Sequence, residues 1–141
     1  KTNFDPQTLW KRLSEVESLQ FVAQSFDSGS GWNGTGTGSV AVEAIDPSTL
    51  LFQESGRWSP TEGTELQFTN VFRWTSLPDQ NLIGYLFELQ QTAETRWESV
   101  EPHVCSNDLY SATLECEHDR LHLDWTVKGA TKNECIGYVY S

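Results

Sequence analysis

Apolar positions along the chain change period once. Leu9, Trp10, Leu13 and Val16 recur at the three- and four-residue spacing of one helical face. Asp5 stands ready to cap the free N–H groups, and Pro6 suits a first helical turn. The pattern predicts one short helix over 5–16. From Leu19 onward the apolar period shortens toward two, interrupted at intervals of about ten residues by turn-forming clusters.

Strands are predicted over 19–26, 32–45, 50–58, 65–75, 82–90, 96–105, 109–117, 121–128 and 133–140. The alternation is cleanest near the end, where Leu121, Leu123, Trp125 and Val127 face one way and His122, Asp124, Thr126 and Lys128 the other. Phe68, Phe72 and Trp74 share a face, and over 82–90 Ile83, Tyr85, Phe87 and Leu89 alternate with smaller or polar residues. Gly34, Gly36 and Gly38 remove every side chain from one face of the second strand, which permits sharp coiling or close approach of another element. Pro102 interrupts ladder pairing and predicts a bulge.

Consecutive strands joined by short turns, with no segment long enough for a Greek-key crossover, favour an all-β fold. It is expected to be an up-and-down antiparallel barrel of about 8–10 strands with a short N-terminal helix. The 141 residues suit one domain spanning 1–141.

Composition narrows the partners. Twenty acidic against nine basic residues leave a formal charge of −11, a field that repels phosphate backbones and anionic membrane surfaces. Nucleic acid is therefore not expected as a partner. No apolar run reaches the roughly 20 residues that span a bilayer, so membrane insertion is not expected either. Cys105, Cys116 and Cys135 cannot all pair within one chain and lack a framework spacing, which points to a reducing, cytoplasmic setting. Six tryptophans, seven phenylalanines and four tyrosines supply large side chains for a core or for the walls of a cavity.

The run Gly31-Trp32-Asn33-Gly34-Thr35-Gly36-Thr37-Gly38 resembles the glycine-tryptophan opening of calycin barrels, shared by lipocalins and nitrobindin-like haem barrels. Further segments, in order, resemble an uncharacterised bacterial family of calycin-like domains of unknown function. They are Glu54-Ser55-Gly56, Phe72-Arg73-Trp74, His103-Val104-Cys105 with Asp108-Leu109-Tyr110, and Trp125-Thr126-Val127-Lys128-Gly129 with Lys132. Ala130 stands where the family pattern favours proline. The resemblance implies a barrel and carries no activity; a haem-ligating segment has no counterpart around the histidines, and the cofactor stays open.

Several constellations could carry chemistry. His103 and Cys105 lie two apart and share a strand face, as a thiolate–imidazole pair or part of a cavity lining would. Arg73, between Phe72 and Trp74, needs water, a carboxylate or a bound anion. Glu54, on the face of Leu50 and Phe52, is its natural internal partner. Cys116, His118 and His122 have ligand-like spacing, but His118 reads as a turn residue and His122 lies opposite the apolar face, so no metal site is assigned. His122 and Asp124 lack a nucleophile-elbow serine, and the strand-two glycines lack the lysine and helix of a phosphate loop.

The reading that follows is a barrel binding a small, largely apolar ligand in its interior. Arg73, Glu54, His103 and Cys105 are its candidate polar contacts, and Trp74, Phe87, Tyr110 and Trp125 its walls, with Tyr138 and Tyr140 as further aromatic candidates. A second reading is a lyase or isomerase acting on a conjugated, pigment-like substrate, with His103 as acid or base and Cys105 or Tyr110 assisting. A third is a filled-barrel protein-interaction module, whose sign would be a continuous apolar patch outside. Inward-facing His103 and Arg73 would favour the first two, and outward-facing ones the third.

Overall fold

In the computed structural model the helix α1, Pro6–Ser14, starts where the cap places it: the Thr8 N–H donates to Oδ1 of Asp5 at 2.8 Å. Leu9, Leu13 and Val16 turn into the core, each worth roughly 1.5–3 kcal/mol when buried. The structure describes residues 4–26, 33–77, 81–84, 87–105, 107–130 and 132–141. The expected turn at 27–31, the predicted start of the second strand at Trp32, the turn residues 78–80 and Tyr85 lie outside these.

Among the described residues eleven strands follow: β1 Ser18–Ser25, β2 Gly34–Asp46, β3 Thr49–Pro60, β4 Leu66–Ser76, β5 Leu82–Ile83, β6 Glu88–Ala93, β7 Arg96–Ser99, β8 His103–Cys105, β9 Asp108–Cys116, β10 Leu121–Lys128 and β11 Asn133–Tyr140. All described pairings are antiparallel. Ten strands close in the order β1-β2-β3-β4-β5-β6-β7-β9-β10-β11, with β11 returning to β1 and β8 lying on β9 beyond β7. The fold is thus an all-β closed antiparallel barrel with one short N-terminal helix, as the alternation predicts.

Two predicted strands are divided. The expected strand over 82–90 is a hairpin instead, with Leu82 opposite Leu89 and Ile83 opposite Glu88. On one continuous strand Leu82 and Leu89, seven apart, would face opposite ways; reversal makes them a cross-strand pair and buries both. The expected strand over 96–105 breaks at Pro102, which has no N–H for the ladder. Across the break, Ser99 Oγ accepts from the N–H of Ala112 at 3.2 Å, so that donor keeps a partner.

The glycines of β2 are spent on close approach. A Cβ on Gly36 would collide with the ring of Phe21, which lies directly over that position. Gly38 and Gly56 face each other across β2 and β3, and a Cβ on either would strike the partner's backbone. The wall can coil tightly there because neither strand carries a side chain.

The helix spans one end of the barrel. At its start, Phe4 is buried; its N–H donates to the Glu94 carbonyl at 2.9 Å, and its carbonyl accepts from the Trp97 indole at 3.3 Å. At its far side the N–H groups of Glu17 and Ser18 reach the Ser141 carbonyl, and Val40 donates to the Glu17 carbonyl. Anchored at the β6–β7 turn and at the β1–β11 pair, α1 forms a floor.

Candidate functional site

Register decides which side chains face the interior. Leu19, Phe21 and Ala23 of β1 oppose Tyr140, Tyr138 and Ile136 of β11, and the same parity carries Leu50, Phe52 and Glu54 on β3 and Phe68, Asn70, Phe72 and Trp74 on β4. On β9 and β10 it carries Tyr110, Ala112, Leu114 and Cys116 against Val127, Trp125, Leu123 and Leu121.

Burial along this inner surface is graded. At the helix end Phe52, Trp97, Leu114, Leu121 and Tyr140 are almost fully buried. Toward the other end Phe68, Phe72, Tyr110, Trp125 and Ile136 are only partly covered although they face inward, and Asn70 is exposed. Among the described residues the interior is therefore cup-shaped, closed by the helix at one end and lined toward the other by partly covered aromatic rings. Among the described residues β4 pairs with β5 at Thr75 and Ser76.

Within this wall lies Glu54, 2 % exposed and the one buried charged or polar residue among those described. Its Oε2 accepts a 2.6 Å hydrogen bond from the hydroxyl of Tyr140, while Oε1 is buried with no hydrogen-bond partner. Burial pushes the Glu54 carboxyl up to about 7; the Tyr140 hydroxyl, and the side chain of Asn70, its cross-strand neighbour, which approaches the carboxylate more loosely than a full hydrogen bond, pull it back down. Tyr140 is shifted well above the ordinary phenol range by its burial, then by the Glu54 charge. Tyr138 moves the same way for the same reasons.

Rings surround this carboxylate. Tyr138 stacks on Tyr140 at 5.6 Å, and Phe52 meets Tyr140 edge-on at 5.3 Å. Beside them, Trp125 meets Phe72 and Phe87 edge to face at 5.4 and 5.2 Å, and its indole Nε1 is buried without a partner. An acceptor with a free lone pair and a donor with a free proton thus share one aromatic cup, each costly to leave unmatched.

The sequence-predicted residues divide. Glu54, Trp74, Phe87, Tyr110, Trp125 and His103 all lie on the inward side; Trp74 belongs to the floor, with Nε1 unpartnered, and half-buried His103 sits at the rim with its ring against Tyr110. Arg73 must be corrected. It is exposed on the outside of β4, in a shallow groove with Leu51, Val71, Thr75, Ile83 and Gly84. Phe72 and Trp74 take the inward positions on either side of it, and strand parity sends Arg73 to the other face. The expected Arg73–Glu54 pair is therefore replaced by Tyr140–Glu54.

Cys105 is exposed at the β8–β9 turn, opposite Asp108, and the His103 ring meets Tyr110. Cys116 is buried inside the barrel, whereas His122 bonds Glu117 outside at 3.1 Å. Asn70 is the site residue that sequence reasoning missed. Its signal was present, since it shares the parity of Phe68 and Phe72, but its pairing with Glu54 depends on the β3–β4 register.

Comparison with known proteins gives a family and a distant structural likeness. The model of the family of unknown function DUF6314 matches residues 20–141. No curated protein matches the chain. A solved structure described as a redesigned beta barrel, mFAP1, bound to DFHBI is 12 % identical, with a TM-score of 0.44 over 92 % of this chain and 97 % of that one.

Proposed function

The chain belongs to the DUF6314 family, and from the geometry of its cup we propose that it binds a small, largely apolar, flat molecule between the aromatic walls. The observation that carries this reading is the buried Glu54 Oε1 without a partner, among inward-facing rings that are only partly covered. A ligand laid against the partly covered rings of Phe68, Phe72 and Trp125 covers apolar surface and supplies the missing polar contacts. Glu54, Asn70 and Trp125 orient it; Phe87 and Tyr110 complete the walls, with His103 at the rim.

No helix among the described residues is long and apolar enough to cross a membrane. Cys105, Cys116 and Cys135 stand as free thiols, which supports a reducing compartment such as the cytoplasm.

Native mass spectrometry of gently purified protein, with an absorption spectrum of the same sample, tests the binding reading. The expected result is an added mass that leaves on denaturation. The bare protein mass, together with no change in tryptophan emission when an apolar dye such as 1-anilinonaphthalene-8-sulfonamide is added, overturns it in favour of a filled barrel.

A carboxyl titrating at about 7 also favours a second reading, proton transfer to or from the bound molecule by Glu54. Deuterium incorporated from solvent into a recovered ligand, and lost in Glu54→Gln, supports turnover. Return of the ligand unlabelled opposes it.

A further inference from the structure

We propose that the molecule held in the cup is an organic cation, an aromatic body carrying a protonated amine or amidine whose N–H donates to Oε1 of Glu54. This rests on the binding reading above and adds the charge class of the ligand.

The placement of charge along the barrel carries the argument. The described lysines and arginines on strands, Arg57, Arg73, Arg96 and Lys128, all stand on the outer face and are exposed. Arg12 belongs to the floor helix, where Nη1 reaches Glu15 at 3.9 Å while Nε and Nη2 are buried without a partner; Arg120 and Lys132 lie in turns and reach Glu117 and Asp108. The inner strand faces thus present no described cationic side chain to neutralise Glu54. They add a second carboxylate, Glu134, which the register turns inward beside Val127, half-buried.

An anion entering this cup would meet two carboxylates and no counter-charge on the strand faces, Arg12 lying in the floor helix, inside a chain of net charge −11. A cation is attracted at long range by the same field. At the site it gains the free Oε1 lone pair and the ring faces of Phe72, Trp125 and Tyr138. Tyr140 already donates to Oε2, so a ligand donor at Oε1 completes the carboxylate.

Binding is consequently coupled to the charge of Glu54. The titratable groups facing it are Tyr140 and Tyr138 of β11, both pushed upward by burial and so neutral through the physiological range. From the other neighbours, β1 presents Leu19 and Phe21, β2 Val40 and Val42, and β4 Asn70 and Phe72. Cation affinity therefore rises with pH through the Glu54 transition and levels off above it.

Three probes that share one aromatic body separate the outcomes: tryptamine (cation), tryptophol (neutral) and indole-3-acetate (anion), titrated calorimetrically into wild type and Glu54→Gln at pH 5.5 and 8. The expected result at pH 8 is tryptamine binding about tenfold more tightly than tryptophol, the difference one charged hydrogen bond makes, with indole-3-acetate weakest. That preference shrinks at pH 5.5 and disappears in Glu54→Gln. Tryptophol or indole-3-acetate binding as well as tryptamine, or a tryptamine preference that survives Glu54→Gln, overturns the cation assignment and leaves the binding cup standing. Failure of all three at millimolar concentration, with the variants folded by circular dichroism, overturns the cup itself.

Discussion

The hydroxyl of Tyr140 and the carboxylate of Glu54 are joined by a 2.6 Å hydrogen bond across 86 residues of sequence, the last strand reaching the third through the barrel interior. Tyr140 is 1 % exposed and Glu54 2 %, so neither group has a solvent alternative. The pair ties the final strand to the wall opposite, within the cup.

Removing the charge at Glu54 should make the protein more stable above neutrality. The folded-state value near 7 lies above the ordinary 4.5, so between these values the native state holds a proton that the unfolded chain has released. Stability is full below 4.5, falls as pH rises to about 7 and is flat beyond. The loss is about 3 kcal/mol, by the linkage relation. Glu54→Gln should abolish this slope, matching wild type at pH 4.5 and exceeding it by a similar amount at pH 8 in urea unfolding. A wild-type midpoint flat from pH 4.5 to 8 would refute the shift.

Tyr140→Phe should have the opposite pH signature. Its hydroxyl favours the ionised carboxylate, so its removal raises the Glu54 value further. The cost should be about 1–3 kcal/mol at pH 8, where the carboxylate loses a charge-assisted bond, and smaller at pH 5. Equal losses at both values would mean that the hydroxyl serves packing and not the charge.

Gly36→Ala should destabilise by about 1–3 kcal/mol, because the new methyl group occupies space held by the Phe21 ring. Phe21 is itself stacked on Trp58 at 5.3 Å, so it cannot withdraw freely. Phe21→Leu should relieve part of the clash, and thermal unfolding of both single variants and the double variant should show a coupling of at least about 0.5 kcal/mol. Additive effects would place the strain elsewhere.

Arg73→Ala tests the correction directly. With the side chain exposed outside β4, unfolding free energy should change by no more than about 0.5 kcal/mol, and uptake of a cup ligand should be unaltered. A loss of binding without loss of stability would restore Arg73 to the site.

The order of turns and strands was legible along the chain because each strand has one buried and one solvated face, and such alternation is a local property. Asp5 and Pro6 mark the helix start, and 121–128 shows its inward face residue by residue. The glycines of β2 announced close approach, though not that the Phe21 ring would fill the space above Gly36. The parity of Glu54 with Leu50 and Phe52 was equally visible, and so was the need of a buried carboxylate for a partner.

What only the tertiary structure decided was who that partner is. Arg73 is near in sequence and opposite in charge, but its strand neighbours Phe72 and Trp74 claim the interior, and alternation carries the guanidinium outside. Tyr140 reaches Glu54 because β11 returns to β1 and closes the ring, a pairing that no local pattern encodes. The reversal between Leu82 and Leu89 was hidden for the same reason: a hairpin and a single strand share one alternating sequence, and only burial of both leucines against the rest of the barrel chooses between them.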